Sequence, residues 1–161
     1  MISTPLCELA GIRYPIFQGG MAHVSDGRLA AAVSEAGGLG IISAMNFGGT
    51  KLREQIREAR SLTSKPIGVN IMLQAPTAKD SAAICAEEKV EIVTTGAGNP
   101  SEFMPLWLGA GIKVIPVVAS AALAKMMERA GASAVIAEAG RAAVISARRR
   151  PCPSFRRSST R

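Results

Sequence analysis

A parallel α/β fold is predicted by three observations. Short apolar runs alternate with longer amphipathic ones, and the apolar runs begin about two dozen residues apart. Several of these runs are nearly continuous in Val, Ile and Leu, as strands covered on both faces are. The composition is 48% hydrophobic but only 4% aromatic, with 16 Gly, which suits strands and helices and does not suit a disordered chain. A length of 161 residues allows one domain with a real core.

Taken in order, the first strand is expected at 15–18, ahead of the Gly19-Gly20 turn. Asp26 can then cap a helix over 27–36, and Gly37 stands where that helix should stop. The apolar run 39–43 gives the second strand, and the amphipathic stretch 50–62 the second helix. Strand three is 67–72, helix three 78–88 and strand four 91–95. Ser101 is a candidate cap for a helix over 101–109, with Gly109 at its end. The β-branched run 113–118 is strand five. Ser120 can cap the helix 120–130, Gly131 ends it, and 134–138 is strand six. Six parallel strands and five helices follow, joined by right-handed crossovers. Either an open doubly wound sheet or a (β/α)8 barrel accepts that pattern.

Charge divides the chain. Residues 1–140 hold 12 Lys+Arg and 12 Asp+Glu, so the whole net charge of +7 lies beyond them, in seven arginines from Arg141 to Arg161. This tail, 139–161, reads as a solvated, disordered segment. Phe155 is its one aromatic residue, too little for a base-stacking platform, so a nucleic-acid partner is not expected. Cys7, Cys85 and Cys152 are far apart, and with one histidine they form neither a disulfide framework nor a metal set. The N-terminal residues lack a basic-then-apolar leader pattern, and no apolar run reaches the ~20 residues that span a bilayer. A cytoplasmic protein without a membrane partner is expected.

Parallel α/β folds bind ligands at the carboxyl ends of their strands. Those ends here are rich in small and polar residues: Gly19 to Ala22, Ser43 to Asn46, Asn70, Thr94 to Asn99, and Glu138. Glycine at such positions lets backbone N–H groups approach a flat or anionic ligand. The glycine spacing after the first strand does not match the dinucleotide fingerprint, and no acidic residue ends the second strand to hold a ribose. The lone His23, after the Gly-Gly-Met turn, reads as a solvent-edge or packing residue.

Five segments together carry a resemblance: Tyr14-Pro-Ile-Phe-Gln-Gly-Gly-Met21, Glu35-Ala-Gly-Gly-Leu-Gly-Ile-Ile42, Gly68-Val-Asn-Ile-Met72, Val93-Thr-Thr-Gly-Ala-Gly-Asn-Pro100 and Val114-Ile-Pro-Val-Val118. In order and without large gaps over residues 5–138, they resemble the FMN-dependent nitronate monooxygenase/2-nitropropane dioxygenase family. The Thr-Thr-Gly-Ala-Gly-Asn-Pro stretch favours its enoyl-[acyl-carrier-protein] reductase II branch. The resemblance implies a TIM barrel with FMN across the carboxyl ends of the strands. It implies NADH or NADPH as reductant and an enoyl thioester on acyl-carrier-protein as substrate, as in fatty-acid synthesis. The related oxygenases instead oxidise alkyl nitronates with O2. By matching position, Gly20, Met21 and Ala22 would lie against the flavin, Asn46 and Asn70 would supply polar contacts, and Glu138 would sit beside the phosphate-side loops.

The family pattern continues after the sixth strand with a Gly-Gly-His-x-Gly turn whose histidine is expected near the flavin. Here the chain reads Ala139-Gly-Arg-Ala-Ala-Val-Ile-Ser-Ala-Arg148, and no histidine follows His23, so no catalytic residue is assigned. The expected architecture is therefore an incomplete (β/α)8 barrel over 1–138 with a basic tail, its first and sixth strands left as open edges and its chemistry inactive. A complete barrel takes roughly 200–250 residues. One base lost just after the Glu138 codon would account for the change. The genetic code permits the tail to regroup as Gly-Gly-Glu-Ser-Gly-Gly-His-Ile-Gly, with Arg148 to Arg150 becoming threonines. Sequencing the gene from that codon onward checks this: the regrouped reading should be open, and codons that cannot regroup exclude it.

Overall fold

The computed structural model describes residues 4–139 and 142–147. Its centre is one sheet of six strands in the order β1 (Gly40–Ser43), β2 (Ile67–Met72), β3 (Ile92–Gly96), β4 (Lys113–Val118), β5 (Ala134–Ala139) and β6 (Ala142–Ala147). The first five are parallel neighbours in strictly sequential order. A doubly wound sheet reverses its strand order at a switch point; this sheet does not, so it progresses as a barrel wall does.

Helices fill the crossovers: α2 (Gly27–Glu35), α3 (Gly49–Leu62), α4 (Ala78–Glu87), α5 (Met104–Gly109) and α6 (Ala121–Arg129), preceded by α1 (Pro5–Ala10). Asp26 and Ser120 cap α2 and α6 as expected, accepting from the Leu29 and Leu123 N–H groups. Sequence reading missed α1, though its signals are ordinary: Pro5 in the first turn and Gly11 as a left-handed cap. The helix expected at 101–109 divides into a 3-10 turn, Pro100–Glu102, and α5. Asn99, not Ser101, accepts the capping bond, and the left-handed glycine that follows is Gly111.

The segment 15–18 is not a full strand. It joins the sheet edge by a single parallel bridge, Phe17 to Leu39. Pro15 has no N–H to donate, and the Ile16 N–H turns back to the Tyr14 carbonyl, so the ladder cannot extend. The far end also differs from expectation. Residues 142–147, read as part of a disordered tail, form β6, which pairs antiparallel with β5 from Ala134–Ala147 to Ala139–Ala142. The β-branched Val144 and Ile145 suit a strand, and β5 offers unpaired backbone groups that favour one. The sixth expected strand, now β5, is thus not an open edge. The rest of the tail lies outside the described residues.

Side chains alternate across the sheet and divide the core in two. Outward-facing Ile42, Ile67, Val69, Ile71, Val93 and Val114 pack under the helices. Inward-facing Leu39, Ile41, Ile92, Ile115 and Ala134 pack with Cys7 and Ala10 of α1, which plugs the amino end of the concave face. Helix α2 approaches β1 so closely that a methyl group on Gly40 would lie 1.8 Å from the Ala30 carbonyl oxygen. Arg53 and Arg57 of α3 pair with Glu88 just past α4. Burial pushes the Glu88 carboxyl up, but the hydrogen bonds from Arg57 and Arg53 outweigh this and hold it below the usual carboxylate range.

Trp107 anchors α5. It is fully buried, and its Nε1–H donates to the Ala82 carbonyl of α4 at 3.1 Å. Trp107→Ala removes that volume and the indole's hydrogen bond, and should cost ~3–5 kcal/mol in urea unfolding.

Candidate active site at the carboxyl end of the sheet

The inward-facing positions change chemistry along β1, β2, β3 and β5. Below they are aliphatic, or Gly68 on β2. One step further on come Ser43 on β1, Asn70 on β2 and Thr94 on β3, which stand in register with one another. Ser43 and Thr94 are buried and Asn70 is half-buried. Glu138 occupies the inward-facing register on β5 and is exposed. An apolar floor therefore gives way to a polar rim on the concave face.

The rim is wired internally. The Thr94 hydroxyl donates to Asn70 Oδ1 at 2.9 Å. That bond fixes the amide plane and leaves Asn70 Nδ2 as a donor with no partner among the described residues. Above Asn70 lies the turn that follows the Phe17 bridge. A methyl group on Gly20 would lie 2.4 Å from Asn70 Cβ, so only glycine permits this approach. Gly19 and Gly96 face the other way: nothing lies within 4 Å of where their side chains would project.

The structure thus brings Gly20 and Asn70 together, with Met21 and Ala22 exposed in the same turn. Asn46 ends the 3-10 turn Ala44–Asn46 directly after β1, at the same end of the sheet. Glu138 lies three strands from Asn70, on β5. Thr94 stands among the strand-end residues read from the sequence, but its bond to Asn70 depends on the β2–β3 register. Ser25 and Gln18 were given no role by the sequence, and nothing local marks them. His23 adopts a left-handed backbone (φ 64°) and is exposed. It borders a separate polar cleft of about 410 Å3 with Asp26, Arg28, Gln55 and Glu58, where Arg28 and Glu58 pair at 2.6 Å. Burial pushes the Cys85 thiol up to about 12, so it supplies no nucleophile near neutral pH.

The rim offers a hydrogen-bond donor to a ligand that carries acceptor atoms. Asn70 Nδ2 is an unused donor at the rim, and at Gly19 and Gly96 nothing lies within 4 Å of where a side chain would project.

The fold and rim define a class: a parallel α/β chain whose barrel-like strands carry glycines and polar side chains at their carboxyl ends. The nitronate monooxygenase family matches residues 3–88, more than half of the chain, and the chain belongs to that family. FabK from Thermotoga maritima superposes with a TM-score of 0.83 at 52% identity, over 85% of this chain and 44% of that one. The (3aS,4S,5R,7aS)-5-hydroxy-7a-methyl-1-oxo-octahydro-1H-indene-4-carboxyl-CoA dehydrogenase of Rhodococcus jostii (strain RHA1) is 35% identical over 139 residues, 86% of this chain and 39% of that protein. The nitronate monooxygenase of Paraburkholderia phytofirmans (strain DSM 17436 / LMG 22146 / PsJN) is 33% identical over 83% of this chain and 47% of that protein. The chain spans less than half the length of each of these proteins. The fold is accordingly α/β and corresponds to part of a TIM barrel.

Gly20→Ala tests the rim. Overpacking against Asn70 should cost ~1–3 kcal/mol and displace the Asn70 amide from Thr94. Thermal melts and the Asn70 side-chain amide NMR signals should both shift.

Proposed function

We propose that this chain carries the flavin-cradling part of an FMN-dependent oxidoreductase that uses NADH or NADPH to reduce an enoyl thioester held on acyl-carrier-protein. The observation that carries this reading is the 52% identity to FabK over most of the chain, against 33% to a nitronate monooxygenase. Bound flavin would relay hydride from the nicotinamide to the β-carbon of the enoyl group. The chain's own part is to bind and orient. Gly20, Met21 and Ala22 would line one side of the ring, Asn70 would donate from its free Nδ2, and Asn46 and Glu138 would add polar contacts along the rim. The apolar floor over α1 keeps water from beneath the ring.

The same reading holds that the chain alone is catalytically inactive, because it offers a cradle without a proton-handling histidine on the rim. No helix among the described residues is long and apolar enough to cross a membrane. A cytoplasmic setting with a carrier-bound substrate accords with that.

Nitronate oxidation with O2 is the second reading, supported by the family match itself. A test begins with FMN added to the purified chain, followed by flavin fluorescence. Quenching is expected, together with binding of crotonyl-CoA and no consumption of NADH or NADPH. O2 uptake with a nitroalkane would select the oxygenase instead. Turnover of the enoyl thioester at the rate of a complete enzyme would remove the claim of inactivity.

A further inference from the structure

One buried side chain organises the turn above Asn70. Ser25 is fully buried, and its hydroxyl makes three hydrogen bonds, the full capacity of one donor and two acceptor sites. It accepts from the Met21 N–H at 2.9 Å and from the Gln18 Nε2–H at 2.8 Å, and it donates to the Gly19 carbonyl at 3.2 Å. Two further bonds tie this knot to β1. Gln18 Nε2 reaches the Ile41 carbonyl at 3.1 Å, and the Ser25 carbonyl accepts from the Ser43 N–H at 3.0 Å.

The knot sets which way the backbone of the turn points. It draws the Met21 N–H inward and consumes it. Among the described residues, the Gly19, Gly20, Ala22 and His23 N–H groups of this turn meet no acceptor, and Met21 between them is clamped. Helix, strand and cap bonds satisfy most backbone donors in a folded chain; in this run of free donors, the clamp on Met21 sets the direction in which its two neighbours, Gly20 and Ala22, point. We infer that Ser25, acting with Gln18, is a positioning residue that holds the Met21 N–H inward and so presents the Gly20 and Ala22 N–H groups to the acceptor atoms of the flavin ring. This rests on the flavin reading given above. In it, Met21 contributes its exposed thioether and not its backbone. Ser25 touches no ligand and acts only through the turn.

The test uses the full chain, FMN alone as the probe, and Ser25→Ala. The control is Ile112→Val, a buried change in the helix-side core beside α5. Both variants should lower the melting temperature. At a temperature where circular dichroism shows both folded, Ser25→Ala should weaken FMN binding by about tenfold or more and blur the resolved visible bands of bound flavin. Ile112→Val should leave both unchanged. Should Ser25→Ala fail to fold, Gln18→Met removes one arm of the knot at similar volume and should produce the same weakening. A Ser25→Ala chain that binds FMN like the parent overturns the positioning role and leaves the flavin reading intact. Equal weakening in the control also overturns it. A parent chain that binds no FMN overturns the flavin reading and the inference with it.

Discussion

Alternation of side chains on parallel strands is the constraint on which the site depends. Leu39, Ile41 and Ser43 share the concave face because strand residues two apart point the same way. The same rule stacks Ile92 below Thr94 and Ala134 and Ile136 below Glu138. Parallel pairing in sequential order aligns Ser43, Asn70 and Thr94 in one polar row across β1 to β3, which Ile115 closes on β4. A slip of one residue in any strand would turn its polar member toward the helices and an aliphatic member toward the rim. The outer layer guards against this. Trp107, Ile42 and Val69 fill space that only the observed register leaves, and Gly40 admits α2 at a distance no other residue would allow.

The elements that were legible in the sequence are those with strong local chemistry. The Asp26 and Ser120 caps, the β-branched run of β4 and the amphipathic α3 each carry their own signal, and the structure has them where the pattern places them. The departures arise where local chemistry and tertiary pairing compete. Segment 15–18 is apolar enough for a strand, yet Pro15 and the inward turn of Ile16 leave it one bridge. Residues 142–147 read as the start of a charged tail because arginines surround them, whereas their own Ala, Val and Ile content lets them pair with β5. Helix α1 is short and was overlooked for that reason, although it closes the concave core.

The candidate site divides in the same way. Gly20 and Asn70 were legible as strand-end residues, and the structure places them in contact. Thr94 was legible in the same way, but its bond to Asn70 required knowledge of the β2–β3 register. Ser25 and Gln18 required the three-dimensional course of a turn, because a serine seven residues from a glutamine has no sequence signature as a knot. Electrostatics adds little here. The charged pairs among the described residues join helices to one another or to adjoining turns, as Arg53 and Arg57 do to Glu88 and Arg28 does to Glu58, and none involves Asn70 or Thr94.

The hairpin of β5 and β6 bears on assembly. Both flanks of β5 are engaged, by β4 at Ile136 and Ala137 on one side and by β6 along the strand's length on the other. A further parallel segment, from this chain or another, can dock beside β5 only by evicting β6 and inheriting its hydrogen bonds one for one. Growth of the wall past this point is therefore an exchange between rival strands, with the antiparallel incumbent favoured by its nearness in sequence.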